Sequence, residues 1–229
     1  MRTWKHTGII LLISIIILSN GLKAQHKPFQ FGFKGGVNIG WLKSDNDKLE
    51  NEGSNFGGSW GFVADVFIME NYSFATGFDV LYINGDFNTP GLTMVEEGDT
   101  ISGTAYLKVK SQYIQVPIIF TMKTNNIKEK FRIYGQVGYG LGFRFRARQD
   151  YRFVATDGKT IDENKGNDYD GFTFTRSSLI LGVGAEIPLH KSTYLRSGFT
   201  FDNCFVDISK SDQLKVRTNF IAFSVAVIF

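Results

Sequence analysis

From Phe29 onward the chain alternates large apolar residues with small or polar ones at a period of two. Phe29, Phe31, Phe33, Gly35, Val37, Ile39 and Trp41 hold the odd positions, against Gln30, Gly32, Lys34, Gly36, Asn38 and Gly40. Successive side chains of a strand point to opposite faces, so this spacing predicts a strand with one greasy face. The same rhythm returns in Gly58 to Ile68 (Trp60, Phe62, Ala64, Val66, Ile68) and in Tyr72 to Tyr82 (Tyr72, Phe74, Phe78, Val80, Tyr82). A fourth strand carries Ile114, Val116, Ile118 and Phe120. The fifth is the longest, with Phe131, Ile133, Val137, Tyr139, Leu141, Phe143 and Phe145 opposite Arg132, Gln136, Gly138, Gly140, Gly142, Arg144 and Arg146. The sixth sets Leu179, Leu181, Val183, Ala185 and Ile187 against Gly182, Gly184 and Glu186. The seventh sets Leu195, Phe199 and Phe201 against Arg196, Gly198, Thr200 and Asp202. The eighth, Asn219 to Phe229, carries Ile221, Phe223, Val225, Val227 and Phe229 on one face.

The two faces decide the architecture. In a soluble barrel the large apolar residues would point inward and the small face would meet water. Here the small face is too rich in glycine to make a good solvent surface, yet it suits a packed interior. The pattern therefore predicts an all-β, eight-stranded antiparallel transmembrane β-barrel, an up-and-down meander. Apolar stretches of about 9–11 residues match a tilted strand crossing a bilayer. Trp41, Trp60, Tyr72 and Tyr82 near strand ends read as interfacial girdles. Short links (Glu70-Asn71, Lys123 to Lys130, His190-Lys191) alternate with long ones (Lys43 to Phe56, Asn84 to Thr104, Arg148 to Gly171, Asn203 to Lys215). With an even strand number, both termini fall on the short-turn side, the periplasmic one in this class. Parity predicts three-residue turns at Met69-Glu70-Asn71 and His190-Lys191-Ser192, the second placing Glu186 opposite Arg196.

The chain begins with a segment of another kind. Arg2 and Lys5 precede the apolar run Ile9 to Leu18, and Leu22-Lys23-Ala24 precedes Gln25. This reads as a secretory signal peptide over residues 1–24, cut between Ala24 and Gln25, with a barrel domain over 25–229. The run is too short for a spanning helix, which needs about 20 residues. The net charge of +3 comes from 25 Lys and Arg against 22 Asp and Glu. Arg2, Lys5 and Lys23 lie in the leader, so the mature chain balances 22 bases against 22 acids. The basic leader therefore gives no argument for a nucleic-acid partner. The single cysteine, Cys204, excludes an intrachain disulfide. The 25 glycines against 4 prolines suit many strands with tight bends.

Several segments are similar to one family. They are Gly32-Phe33-Lys34-Gly35-Gly36-Val37-Asn38, Tyr113-Ile114-Gln115-Val116-Pro117-Ile118, Tyr134-Gly135-Gln136-Val137-Gly138-Tyr139-Gly140 and Gly182-Val183-Gly184-Ala185-Glu186. In order and spacing they resemble the PorT-like outer-membrane β-barrel family of Bacteroidota, over nearly the whole mature chain. The resemblance implies an outer-membrane location and an eight-stranded barrel. It implies little about task, although one namesake is tied to type IX secretion.

The inward register collects Lys34, Asp65, Asp79, Arg132, Arg144, Arg146, Glu186, Arg196 and Asp202. Buried charges must pair, so these read as a lumen charge network that plugs the barrel. The alternative is a narrow small-solute channel lined by Arg144 and Arg146. A hydrolase is not indicated: His26 and His190 map to the periplasmic end, and no GxSxG elbow appears. Acidic residues in the predicted loops, Asp45, Asp47, Glu50, Glu52, Asp86, Glu96, Glu97, Asp99, Asp162, Glu163, Asp168 and Asp170, complete no calcium-loop pattern and read as solvated. Gly58-Ser59-Trp60 is similar to the GxW of lipocalins, which keeps a secreted lipocalin-like small-molecule binder as an alternative. Pro117 marks a bulge or a lost ladder bond. No cofactor or metal is expected. The expected partners are outer-membrane lipid, the barrel-assembly machinery and an unidentified protein met by the loops or periplasmic rim, in a non-enzymatic structural or recognition role such as a secretion-system accessory. Phe229, in the lipid-facing register beside Phe29 and Phe31, reads as the barrel-assembly signal.

Overall fold

Alternation carries nine strands through the computed structural model, which describes residues 28–44, 50–96, 99–128, 130–190, 192–210 and 215–229. The expected leader and its expected Ala24-Gln25 junction lie outside the described residues. The strands are β1 (Phe29–Ser44), β2 (Glu50–Met69), β3 (Tyr72–Glu96), β4 (Asp99–Lys123), β5 (Arg132–Ala155), β6 (Thr160–Asp168), β7 (Thr175–His190), β8 (Thr193–Cys204) and β9 (Val216–Ile228). All pair antiparallel. The sheet runs β4-β3-β2-β1-β9-β8-β7-β5, and a β4–β5 ladder closes it into a ring. Eight strands thus form the barrel, as the alternation predicts. The ninth, β6, pairs only with the distal part of β5.

Phe229 seals the β1–β9 seam. Its N–H donates to the Phe31 carbonyl at 2.7 Å, and the Phe31 N–H donates back at 3.3 Å. The two rings lie 5.9 Å apart on the outer surface. The bulky register faces outward throughout: Phe33 is 65% exposed, Val183 56% and Phe199 58%. This is the reverse of a soluble ligand-binding barrel, so the lipocalin-like alternative fails on the direction of its side chains.

The expected long loops between β3 and β4 and after β5 are largely ribbon. Asn84 to Glu96 and Asp99 to Ser111 extend one ladder past the barrel, and β5 continues to Ala155 and turns back as β6. Polar and threonine-rich alternation does not announce a strand as aromatic alternation does, but cross-strand pairs such as Asp86 opposite Lys108 hold it together. The short turns differ in detail from the parity expectation. Met69 pairs with Tyr72 and His190 with Thr193, leaving two residues in each turn. A register shift beside each turn supplies the extra residue that parity requires. Glu186 stands opposite Arg196.

Irregularities in the ladder are matched by side chains. Between Ser54 and Gly58 the β2–β3 register slips. The Asn38 amide, on β1, donates to the Gly58 carbonyl at 3.0 Å and the Tyr82 carbonyl at 3.2 Å. The Asn84 amide donates to the Phe56 carbonyl at 2.7 Å. Gly57 leaves the room this needs, since a Cβ there would meet Asn38 Oδ1 and the Tyr82 carbonyl. Beside Pro117 there is no slip. The β3–β4 ladder runs from Ala75–Ile119 to Asp79–Gln115 with the pairs between them missing, so the proline costs bonds and not register.

Replacing Asn38 with Ala would strand the Gly58 and Tyr82 carbonyls inside the wall. A loss of roughly 1–3 kcal/mol is expected, read as a lower urea midpoint for refolded protein in detergent. An unchanged midpoint would show that the slipped register needs no side-chain donor.

Candidate functional site

The interior is filled in layers. At the short-turn end, Asp65 on β2, Lys123 on β4, Arg132 on β5, Glu186 on β7 and Arg196 on β8 converge. Their inward register follows from the period of two. Lys123 Nζ lies 2.9 Å from Glu186 Oε1 and 3.5 Å from Asp65 Oδ2. Arg196 donates from Nε to Glu186 Oε1 at 2.6 Å and from Nη2 to Asp65 Oδ2. Arg132 Nη2 sits 2.9 Å from Glu186 Oε2, an ion pair without the alignment of a hydrogen bond. Glu186 and Asp65 are 1% exposed, so three cations share two carboxylates out of reach of water. Tyr134 packs against this layer with the Arg196 guanidinium 5.6 Å from its ring. A Cβ on Gly184 or Gly198 would run into the Tyr134 phenol, which is why the inward face is small there.

A second layer lies nearer the middle. Arg176 Nη2 meets Asp202 Oδ1 at 2.5 Å, and its Nη1 donates to Gln115 Oε1 at 2.6 Å. Gln115 Nε2 and Ser178 Oγ both donate to Asp202 Oδ2, at 3.1 and 3.0 Å. Arg176 is fully buried between the rings of Tyr113 and Phe220. Lys34 pairs with Asp79 at 2.8 Å. Between these layers remains a cavity of about 70 Å³, bordered by Lys34, Asp79, Gln115, Gln136, Arg196 and Asp202, with room for a few waters. Bulky apolar residues share the interior, notably Leu81, Ile83, Tyr113 and Phe220. Small residues and charges alone do not fill it.

The long-loop mouth is capped. Phe172 and Ile208, from the segments after β6 and after β8, pack on Leu42, Phe87, Val109, Cys204 and Val216. Each large buried side chain contributes roughly 1.5–3 kcal/mol. The two segments are stitched by Thr173 N–H to the Ile208 carbonyl at 2.6 Å and Lys210 N–H to the Gly171 carbonyl at 2.9 Å. Asp170 joins Lys210 at 2.6 Å and Arg144 at 3.2 Å. Those hydrogen bonds, Lys210's first and then Arg144's, hold the exposed Asp170 carboxyl below its ordinary range. Arg144 also donates to the Tyr169 carbonyl at 2.9 Å, so it pins the cap. On the projecting ribbon, Asp150 is likewise held low, first by the hydrogen bond from Lys110 and then by the Gly166 N–H.

The structure distributes the sequence-nominated charges unevenly. Asp65, Glu186 and Arg196 meet in one layer, Lys34 pairs with Asp79, and Asp202 joins Arg176. Arg146 is not inside. The β4–β5 register slips between Gln112 and Tyr113, a bulge at Phe145. Arg146 then pairs with Gln112, whose neighbours Ser111 and Tyr113 are buried inward. It therefore shares the outer face and is exposed. With Arg144 in the cap and Arg146 outside, the two do not line a path. Lys123, Arg176 and Gln115 were missed. Lys123 and Arg176 continue the inward alternation of β4 and β7 two inward positions beyond the apolar stretches that mark the strands, after Thr121 and Ser178. The acids of the third loop pair locally: Asp162 with Asn164, Glu163 with Lys165, Asp170 with Lys210.

The family described as outer membrane protein beta-barrel domain has a model that matches residues 23–225. No curated protein matches the chain. Among solved structures the chain is similar to Neisserial surface protein A, at 14% identity and TM-score 0.42, over 88% of this chain and 97% of that one. It is similar to Ail of Yersinia pestis, at 14% identity and TM-score 0.38, over 89% and 100%. It is also similar to the outer membrane protease OmpT of Escherichia coli, at 7% identity and TM-score 0.45, over 92% and 99%.

Glu186 touches all three cations of its layer, whereas Lys34 remains partly solvated. Glu186→Gln is expected to lower stability by about 3–5 kcal/mol, and Lys34→Met by much less. The order is checked by the temperature at which each loses its compact, fast-migrating gel band. Equal losses would show that the short-turn layer is not the dominant tie.

Proposed function

The chain belongs to the outer membrane protein beta-barrel domain family, and on that premise we propose that this integral outer-membrane barrel works through its surfaces and not through its lumen. One observation carries the reading: the interior is closed twice, by buried ion pairs at the short-turn end and by an apolar cap at the mouth. A pore would require several buried charges to lose their partners together, each at several kcal/mol. What projects is the ribbon of β3, β4, β5 and β6, rich in side chains that can meet a partner. The role is non-enzymatic. His190 lies at a short turn, away from the ribbon, and Asp86, Asp150 and Glu163 of the ribbon are each paired with a lysine.

Finer placement follows the sequence. The motifs from Gly32 to Asn38 and from Tyr134 to Gly140 support membership of the PorT-like branch in Bacteroidota, with a secretion-system accessory as one version of the task. The leader supports export with cleavage between Ala24 and Gln25. An even number of barrel strands supports both termini facing the periplasm, where Phe229 would present the seam to the barrel-assembly machinery.

In planar bilayers the purified protein is expected to show no stable conductance; regular single-channel steps would overturn the closed-lumen reading. Deleting Phe229, or replacing it with Asp, is expected to lower the yield of membrane-assembled protein several-fold, measured by heat-shifted migration of the membrane fraction. Normal yield would reduce Phe229 to an ordinary strand end.

A further inference from the structure

The bulge at Phe145 does more than end a regular ladder. Along β5 the inward register reads Gly142 and Arg144, and unbroken alternation would put Arg146 and Arg148 inside as well. The extra residue reverses that parity. Ala147 becomes the buried position, and Arg146 and Arg148 stand exposed side by side on the outer face, about 7 Å apart.

Their height on the barrel is informative. On β4 the outward positions from Met122 up to Ile114 are apolar, and all but the half-buried Phe120 are exposed. Ile114 is level with Phe143, and the next outward residues are Gln112, level with Arg146, and Lys110, level with Arg148. Phe145 and Phe174 are 52% and 61% exposed, and Phe174 packs against Phe143 with ring centroids 5.8 Å apart. An aromatic rim thus ends the lipid-facing band, and two guanidinium groups follow directly. Lys110 is occupied by Asp150 at 2.6 Å. Asp168 stands opposite Arg148 on β6 without forming an ion pair with it. Among the described residues neither Arg146 nor Arg148 has an acidic partner.

We propose that Arg146 and Arg148 form a binding site for the phosphate of an anionic lipid headgroup in the leaflet at the long-loop end of the barrel. Planar guanidinium forks suit phosphate oxygens. Aromatic rings seated below them hold the acyl boundary at a fixed depth. The occupant is a membrane lipid because the two groups face outward, immediately above the apolar band, and not toward the mouth. The proposal rests on the membrane-embedded reading given above.

The test is native mass spectrometry of the full mature protein in neutral detergent, titrated with phosphorylated lipid A and with its dephosphorylated form. Wild type is expected to retain the phosphorylated lipid, and Arg146→Gln/Arg148→Gln to bind it about tenfold more weakly. Arg146→Lys/Arg148→Lys should recover part of the loss. Lys128→Gln/Lys130→Gln, at the opposite end, should bind like wild type. Equal affinity of the glutamine variant, equal retention of the dephosphorylated lipid, or the same loss in the lysine-to-glutamine control would overturn the proposal. Competition by millimolar inorganic pyrophosphate would overturn the lipid assignment in favour of a soluble anion. Heat-shifted migration of every variant confirms that the barrel is intact. Its absence from wild type would sink the membrane reading instead.

Discussion

The contact on which the interior depends is the Arg196 guanidinium held between Asp65 and Glu186. Asp65 stands on β2 and Arg196 on β8, so this bond spans the lumen and joins walls that share no ladder. Glu186 brings in Lys123 and Arg132 from two more strands. An eight-stranded ring is only wide enough for side chains, so every inward group must find its partner from another strand or remain unsatisfied. One fewer carboxylate would leave cations facing each other without water to separate them. The tie is therefore a condition for filling the barrel with charge at all, and it fixes the relative register of β2, β5, β7 and β8.

The other layers follow from the same confinement. Arg176 is tolerated at zero exposure because Asp202, Gln115 and two aromatic faces occupy its surroundings. Nearer the mouth the filling becomes apolar, and Phe172 and Ile208 complete it from segments outside the ladder. Arg144 stands where these regimes meet: from the inward register its guanidinium reaches up to Asp170 and the Tyr169 carbonyl of the cap. Closure at both ends is thus a property of the packing and not of a separate plug domain.

Much of this was legible in the sequence. Aromatic alternation identified all eight ring strands, which face was out, and the opposition of Glu186 to Arg196. What alternation could not carry was the effect of one inserted residue. The Phe145 bulge moved Arg146 from the expected lumen to the outer wall, and bulges beside Met69 and His190 turned three-residue turns into two-residue ones. A bulge leaves no signature in composition. It depends on whether the neighbouring strand supplies a matching residue, which is a property of the pair. The ribbon strands were read as loops for a related reason. Their large apolar residues, such as Phe87 and Val109, stand singly among polar ones, and cross-strand partners such as Asp150 and Lys110 complete the pattern. Lys123 and Arg176 were missed because the strands were ended at Phe120 and Leu179, two inward positions too soon.

The division of arginines along one stretch of β5 ties the interior to the surface. Arg144, Arg146 and Arg148 follow one another at alternate positions, and an unbroken strand would bury all three at the mouth. Two unpaired guanidinium groups there would cost several kcal/mol each, with only apolar Leu42, Phe87 and Val109 for neighbours. The bulge removes that cost by sending two of them outward and leaving the third beside Asp170. The same inserted residue lets an apolar cap form and places cations above the aromatic rim. Sealing the mouth and charging the outer rim are therefore two consequences of a single local geometry, and a substitution that restored regular register at Phe145 would disturb both together.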